Sequence, residues 1–171
     1  MSLKIRPEKP GEFGFLFNLV KVAFETAKVS NGDEQNYVDR LRASSGYLPE
    51  LALVAEWDNE IVGHIMLTKT YVLTGTQRFE GLVLAPLSVA LPYRRRGIGS
   101  KLVQESFRIA KVLGYQAVFV VGDPAYYGRF GFKSSAKFGI RHVPEIPEPY
   151  VMAIELTPNA LAGISGTVNF T

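Results

Sequence analysis

Three consecutive arginines and two glycines occupy the point where the sequence predicts that a strand turns into a helix. The segment from Leu87 to Leu102 reads LSVALPYRRRGIGSKL. The first N–H groups of a helix lack partners, and the aligned peptide dipoles place about half a positive charge there. Glycine allows an anion to approach the backbone closely, and arginine adds donors. The segment therefore predicts a phosphate-binding turn formed by Arg94, Arg95, Arg96, Gly97 and Gly99.

The two common nucleotide motifs do not fit this turn. A Walker loop needs glycine, four residues and then Gly-Lys-Ser or Gly-Lys-Thr, and the chain contains no such run. A dinucleotide fingerprint needs a third glycine, and Leu102 stands at that position. The turn is therefore predicted to bind a phosphate ligand other than those of the Walker loop and the dinucleotide fingerprint.

A second motif lies downstream, from Gly122 to Phe132, and reads GDPAYYGRFGF. Together with Arg94-x-x-Gly97-x-Gly99, it resembles the general-control-related N-acetyltransferase (GNAT) superfamily. In that superfamily the arginine-glycine turn binds a pyrophosphate, and a tyrosine four residues before Gly-Phe lies beside the sulfur of the cofactor. The form of the second motif is similar to the small bacterial YhbS-like branch of predicted acetyltransferases.

The resemblance implies acetyl-CoA as the acetyl donor. Two neighbouring parallel strands of the superfamily splay apart, and the pantetheine arm lies between them. By position, the backbone of Leu87, Ser88 and Val89 would hold the pantetheine, and the amides from Arg95 to Ser100, with that of Ile98 among them, would hold the pyrophosphate. Pro86 agrees with this reading, because a proline in a central strand indicates a locally unpaired or bulged ladder.

The expected chemistry is transfer of an acetyl group from a thioester to a neutral amine. Tyr127 is the predicted general acid, since a tyrosine hydroxyl is neutral at pH 7 and can donate to a departing thiolate. Tyr126 is the alternative hydroxyl. The N–H of Val89 is the predicted oxyanion donor. Because the chain has no cysteine, direct attack in a ternary complex is favoured over an acyl-enzyme, although a serine intermediate stays open.

The sequence leaves the general base open. Glu80 lies on a predicted strand, and Glu25 lies near the end of the first predicted helix, but solvated surface carboxylates are common at such positions. His64 has a suitable pKa in its free form, yet it lies in an apolar strand, where a histidine is usually structural. A chain of water molecules is the fourth alternative.

The acceptor is equally open at this point. The first two helices and the closing strands, which determine specificity in the superfamily, contain a few aromatic and acidic candidates that could line a pocket or belong to the core: Phe24, Glu25, Tyr37, Tyr47 and Tyr150. We expect a small-molecule primary amine, with a protein N-terminus or lysine as the alternative. A sensor module that binds acyl-CoA without catalysis is the alternative of another class.

The predicted elements give a mixed α/β domain. We expect a mostly antiparallel central sheet of about six to seven strands, flanked by about four helices, with the splayed parallel pair holding the cofactor. Helices are predicted from about Leu16 to Ala27, from Glu34 to Ala43 and from Ile98 to Leu113, and a short one at the tyrosines. Strands are predicted at 3–6, 51–57, 61–73, 78–89, 117–121, 140–143, 151–156 and 168–170.

Length and composition favour one N-acetyltransferase domain over residues 1–171. The net charge of +3 is concentrated in the arginine triplet, so we expect no nucleic acid partner. No cysteine and two distant histidines predict no metal site. The polar N-terminal region and the lack of a run of about 20 apolar residues predict a cytoplasmic protein without a membrane partner. Edge strands near the C-terminus favour a homodimer.

Overall fold

The computed structural model describes residues 2–27, 30, 32–142 and 146–169. The chain forms two compact units, of which the first comprises residues 1–68 and 85–109 and the second comprises residues 69–84 and 110–171. Two long strands, at residues 60–74 and 77–89, each contribute residues to both units. We describe each unit by itself.

The described residues include four α-helices and nine strands. The helices are α1 (Phe13–Phe24), α2 (Glu34–Arg42), α3 (Ile98–Val112) and α4 (Pro124–Tyr127). The strands are β1 (Leu3–Pro7), β2 (Ala52–Trp57), β3 (Glu60–Thr74), β4 (Gln77–Val89), β5 (Ala117–Val121), β6 (Lys133–Ser134), β7 (Ile140–Arg141), β8 (Val151–Glu155) and β9 (Gly166–Asn169).

In the first unit, β1, β2 and the first part of β3 form an antiparallel meander. Leu3 of β1 pairs with Trp57 of β2, and Ala52 of β2 pairs with Met66 of β3. Helices α1 and α2 cover this sheet with apolar side chains, because each has such residues at helical spacing. The resulting core cluster contains Val20, Val38, Leu41, Ala52 and Met66.

Helix α3 also packs closely on the first unit's sheet. A Cβ atom at Gly63 would lie 3.0 Å from Cδ1 of Leu102 and 3.3 Å from Cγ2 of Ile98. The missing side chain at Gly63 therefore lets the first turns of α3 approach β3. This contact fixes the position of the start of α3, and therefore of the arginine-glycine turn that leads into it.

In the second unit, β4 and β5 pair in parallel at Leu82–Val118, Val83–Phe119 and Leu84–Val120. Strand β8 pairs antiparallel with β5 and with β6, and β9 pairs antiparallel with β3 and parallel with β7. The core around Phe119 gathers apolar residues from these strands and the C-terminal segment: Val72, Ala117, Ile140, Ala153, Leu161 and Val168.

The predicted fold class is confirmed, since the fold is mixed α/β with mostly antiparallel pairs and the parallel β4–β5 pair. Most predicted elements differ from the observed ones by a few residues at the ends. The strands predicted at 140–143 and 168–170 correspond to β7 and β9, and Val143 and Phe170 lie outside the described residues. Strand β6 was not predicted, because two residues are too short for a recognisable alternation.

The paired part of β4 ends early. Within the described chain, its register with β5 stops at Leu84, whereas β4 continues to Val89. The peptide bond between Ala85 and Pro86, directly after the last paired residue, is cis. The residues predicted to hold pantetheine thus lie beyond the end of the parallel ladder.

Candidate functional site

The arginine-glycine turn lies in the first unit, between β4 and α3. A short 3-10 turn at Leu91–Tyr93 follows the strand, and α3 begins at Ile98. Arg95 and Gly97 both have left-handed backbone conformations, with φ of 65° and 80°. Glycine adopts this conformation without steric cost, whereas arginine does so less readily. The two residues reverse the chain direction over a short distance and expose the backbone of the loop.

Six consecutive N–H groups of this loop are free to bind a ligand. Lys101 donates to the carbonyl oxygen of Gly97 at 3.1 Å, which is the first hydrogen bond of α3. The N–H groups from Arg95 to Ser100 donate to no acceptor in the described part of the chain. The positive end of the helix dipole adds to these donors. The loop can therefore hold an anion with two or more oxygen atoms, as predicted for a pyrophosphate.

The Arg94 side chain bonds to protein groups. Its guanidinium donates to the carbonyl oxygen of Ala23 at 2.7 Å and to Oγ1 of Thr26 at 3.0 Å. It also donates to the carbonyl oxygen of Val89 at 3.3 Å. A cation near the end of α1 is favourable, because the last carbonyl groups of a helix lack partners. Arg94 thus links the loop to α1 and β4.

The other two arginines differ from each other. The guanidinium of Arg96 lies 5.7 Å from the ring centroid of Trp57 and 5.3 Å from that of Tyr93. The exposed Arg95 side chain has no hydrogen bond, ion pair or ring contact with a described residue. Of the three guanidinium groups, that of Arg95 therefore has the most freedom to meet a phosphate.

Tyr127 lies in the second unit, at the end of α4. Asp123 caps this short helix by accepting a hydrogen bond from the N–H of Ala125 at 3.0 Å. The Tyr127 ring packs edge-on against Tyr126 and Phe132, with centroid distances of 5.1 and 5.8 Å. Burial, and to a lesser degree the neighbouring Tyr126, raise the pKa of Tyr127 above its ordinary value. The hydroxyl therefore stays protonated at neutral pH and can donate.

The candidate bases have very different surroundings. Glu25 and Glu80 are exposed, as expected for surface carboxylates. His64, in contrast, is completely buried, and its Nε2 lies 2.9 Å from Oε1 of Glu8. Burial and the nearby Arg42 lower the pKa of His64, against the opposing effect of Glu8. His64 is thus held neutral.

Glu8 is the centre of a buried polar cluster that the sequence analysis missed. Arg42 donates from Nε to Oε2 and from Nη2 to Oε1 of Glu8, each at 2.9 Å, and the Tyr47 hydroxyl donates to Oε2 at 2.8 Å. Burial alone would raise the pKa of Glu8, but the hydrogen bonds from Arg42 and His64 outweigh it and lower the pKa to about 2. No short motif signals this cluster, because its members are far apart in the sequence.

Several residues predicted for the acceptor pocket have structural contacts. Phe24, Tyr37 and Tyr47 pack against the core between α1, α2 and the sheet. Tyr150 is 36% exposed, and its carbonyl oxygen accepts a hydrogen bond from the N–H of Gly122 at 2.9 Å. Among these aromatic residues, Tyr150 keeps the most exposed ring.

Two kinds of feature are absent from the described ranges. No group of three or more histidine, cysteine, aspartate or glutamate side chains there could hold a metal ion. None of the helices in these ranges has the length and apolar composition that crossing a membrane requires.

Comparison with known proteins links the chain to one family. The model of the acetyltransferase (GNAT) family matches residues 16–132. The chain is 32% identical over 167 residues to the uncharacterized N-acetyltransferase YhbS of Escherichia coli, which covers 97% of this chain and 95% of YhbS. It is 31% identical over 112 residues to the uncharacterized N-acetyltransferase YjhQ of the same species, covering 66% of this chain and 62% of YjhQ.

Solved structures agree with this result. The crystal structure of Escherichia coli YhbS in complex with CoA matches with a TM-score of 0.88 and 29% identity, over 99% of this chain and 89% of that chain. A GNAT family acetyltransferase from Brucella melitensis in complex with acetyl-CoA matches with a TM-score of 0.79 and 28% identity, over 99% of this chain and 96% of that chain.

Proposed function

Because the chain belongs to the acetyltransferase (GNAT) family, we propose that this acyltransferase moves an acetyl group from acetyl-CoA to a primary amine of a small molecule. Two similar structures were solved with CoA or acetyl-CoA, which supports the choice of donor. The observation that carries the proposal is the row of unpaired N–H groups from Arg95 to Ser100 at the start of α3.

In this proposal the loop binds the pyrophosphate of acetyl-CoA. The N–H groups donate to the phosphate oxygens, and the helix dipole and Arg95 compensate their charge. Arg94 acts indirectly, by fixing the loop to the carbonyl oxygen of Ala23. The backbone of Leu87 to Val89 binds the pantetheine, because β4 continues beyond its ladder with β5 and can pair with an amide-containing arm.

The proposed reaction is direct attack of the neutral amine on the thioester carbonyl carbon. Binding both reactants in one site replaces a bimolecular encounter with a fixed orientation. This can lower the activation barrier by about 7 to 11 kcal/mol. The N–H of Val89 stabilises the oxyanion of the tetrahedral intermediate. Tyr127 donates a proton to the CoA thiolate, since its raised pKa keeps the hydroxyl protonated. A neutral sulfur is a better leaving group than the free thiolate.

Other parts of the proposal concern the surroundings of the reaction. Tyr150 is the favoured acceptor-pocket residue, because its ring is exposed. The cytoplasmic location, the single domain over residues 1–171, the homodimer and the absence of nucleic acid and membrane partners stay predictions. A protein N-terminus or lysine as acceptor remains the alternative outcome of an acceptor screen.

Calorimetric titration with acetyl-CoA, with CoA and ATP as comparisons, tests the cofactor site. We expect saturable micromolar binding of both CoA species and much weaker binding of ATP. Gly97→Ala adds a methyl group beside the unpaired N–H groups and should weaken acetyl-CoA binding about tenfold, equivalent to about 1.4 kcal/mol. Release of free thiol with a panel of primary amines then identifies the acceptor.

Gly114→Ala is the matched control for this substitution. Gly114 ends the same helix, has φ of 92° against 80° for Gly97, and a Cβ atom would meet nothing within 4 Å at either position. Both variants should therefore lose similar stability, and only Gly97→Ala should lose affinity. Equal affinity of the two variants, or no binding by the folded wild type, would overturn the assignment of the loop.

A further inference from the structure

The Glu8–His64 pair determines which ring nitrogen of His64 carries the proton. Glu8 is held as an anion by Arg42 and Tyr47, so its Oε1 can only accept at 2.9 Å from Nε2. Nε2 therefore carries the hydrogen of the neutral ring, and Nδ1 keeps its lone pair. A carboxylate that fixes one imidazole tautomer leaves the other nitrogen as a proton acceptor.

This acceptor nitrogen is buried and has no hydrogen-bond partner in the described chain. The hydroxyl of Ser88, on β4, is also buried and has no hydrogen-bond partner among the described residues. Buried polar atoms are usually satisfied, so each unpaired atom calls for an explanation. Both atoms belong to the first unit.

The strand register brings His64 and Ser88 together. The N–H of Ala90 donates to the carbonyl oxygen of Val62 at 2.8 Å, which places these two residues opposite each other. Counting back two residues along the antiparallel pair places Ser88 opposite His64, on the same face. The carbonyl oxygen of Ser88 lies 3.3 Å from an ideal Cβ at Gly63, which agrees with this register. Opposite residues have Cβ atoms about 5 Å apart, within reach of a serine rotamer change.

We propose that Ser88 and His64 form the proton relay that deprotonates the acceptor amine, with Glu8 as the residue that positions His64. This inference rests on the proposed function, because Ser88 belongs to the strand assigned to the pantetheine. Glu80 and Glu25, which are exposed, are then not needed as bases.

Each proton that moves in the proposed reaction has a donor and an acceptor. The substrate ammonium gives one proton to Oγ of Ser88, whose own hydroxyl proton passes to Nδ1 of His64. The neutral amine then forms the C–N bond, and the C–S bond breaks. The thiolate takes the Tyr127 proton, and the second amine proton restores the tyrosine. The imidazolium, stabilised by Glu8, finally returns its Nδ1 proton through Ser88 to water that enters the acceptor site after the product leaves.

The charges around His64 suit this role. Arg42 of α2, Tyr47 in the turn after it and Glu8 after β1 are the charged or titratable groups that contact the pair. Arg42 also pairs through Nη1 with Asp39 of α2 at 3.1 Å, so the cluster carries one net negative charge with neutral His64, and a proton on His64 neutralises it. Burial lowers the pKa of His64 against the opposing effect of Glu8, so the ring is neutral at pH 7 and Nδ1 can accept a proton.

His64→Gln and Ser88→Ala test the relay with the amine identified by the acceptor screen. Glutamine keeps a donor for Glu8 and removes the acceptor nitrogen, and Ser88→Ala removes only an unpaired hydroxyl. Each should lower kcat about 100-fold at pH 7, with unchanged acetyl-CoA affinity. The deficit should shrink as the pH approaches the pKa of the amine, because the amine then loses its proton to solvent. The double variant should lose no more than either single variant.

Thr68→Val is the matched control, because Thr68 lies on β3 with another buried, unpartnered hydroxyl. It should keep the wild-type kcat and pH profile. An equal loss in all three variants, or a deficit independent of pH, would show a structural role and overturn the relay. Failure of the wild type to bind acetyl-CoA would instead overturn the proposed function.

Nitrogen-15 NMR of the labelled histidines tests the tautomer without any acceptor. The chain has two histidines, so His142 provides the internal reference. We expect neutral His64 at pH 7 with hydrogen on Nε2 and none on Nδ1. Hydrogen on Nδ1, or an imidazolium, would overturn the relay even if the enzyme is active.

Discussion

The Tyr127 ring fills the space that a side chain at Gly122 would need. A Cβ atom at Gly122 would overlap Cε2 of the ring and lie 2.8 Å from its Cδ2. The N–H of Gly122 donates to the carbonyl oxygen of Tyr150, which fixes the backbone under the ring. Glycine at this position therefore determines where the proposed acid lies.

Gly122→Ala should displace the Tyr127 ring, because the aromatic side chain has to move to accept the methyl group. We expect at least a tenfold lower kcat, with a stability loss of about 1 to 3 kcal/mol from overpacking. Gly128→Ala is the control, since φ is −58° there and a Cβ would meet nothing within 4 Å. Thiol-release kinetics and thermal unfolding of both variants check the expectation, and equal kcat values would contradict it.

Tyr127→Phe removes the proposed proton donor and keeps the ring packing. We expect kcat to fall about 100-fold, while the acetyl-CoA affinity stays near the wild-type value. Because burial raises the Tyr127 pKa, the protonated donor persists to high pH, so deprotonation of Tyr127 should not limit kcat between pH 7 and about 10. Tyr126→Phe is the comparison, and a larger loss in that variant would assign the acid to Tyr126.

The three arginines of the loop should contribute differently to acetyl-CoA binding. Arg95→Gln should weaken acetyl-CoA binding about tenfold, because Arg95 has no partner among the described residues to compete with phosphate. Arg94→Gln should lose about 1 to 3 kcal/mol of stability, because its hydrogen bonds to Ala23, Thr26 and Val89 disappear. Calorimetry and denaturant unfolding separate these effects. A larger affinity loss for Arg94→Gln would reverse the assignment.

The fluorescence of Trp57 gives a second reading of the loop. It is the only tryptophan of the chain, and Arg96 lies over its ring. Acetyl-CoA binding should change the emission because phosphate close to Arg96 alters the field at the indole. Arg96→Gln should reduce this change while leaving binding measurable by calorimetry. An unchanged emission at saturation would place the phosphates away from Arg96.

Glu8→Gln should cost about 3 to 5 kcal/mol of unfolding free energy at pH 7, because it removes the buried anion of Arg42 and leaves only the exposed Asp39 to pair with it. The pKa of Glu8 is lowered from 4.5 to about 2. Its ionic contribution is therefore complete above pH 4.5 and is lost as the pH falls towards 2. The difference between variant and wild type should shrink over that interval in urea unfolding.

Glu105→Gln is the control for this pH dependence. Glu105 pairs with Arg108 at the surface, where solvent screens the charges and an ion pair contributes little to stability. The stability of this variant should follow that of the wild type at every pH. A Glu8→Gln deficit that stays constant down to pH 2 would contradict the assigned pKa.

The structural features that the sequence predicts correctly depend on residues that are close together in the chain. The parallel β4–β5 pair and α3 follow from apolar periodicity, and the turn before α3 follows from the spacing of Gly97 and Gly99. Unpaired N–H groups at a helix start are a local property of the backbone. The position of Tyr127 on a short capped helix follows in the same way from the adjacent Asp123 and Pro124.

Long-range contacts explain what sequence reasoning missed. Arg94 was expected to provide charge for a phosphate, but its side chain bonds to α1, whose end is about 70 positions earlier in the chain. Glu8 lies 56 residues from His64 and 34 from Arg42, and no spacing rule connects them. The same holds for His64 and Ser88, which only the β3–β4 register brings opposite each other.

The sequence by itself determined the family resemblance and predicted an anion-binding turn and Tyr127 as the acid, because these depend on residue types at fixed short spacing. Only the tertiary structure showed which arginine side chain has no partner among the described residues, which carboxylate contacts Nε2 of His64 and which backbone segment lies beside β3 at that point. Those properties depend on burial and hydrogen bonding between distant segments, and both arise when the chain packs.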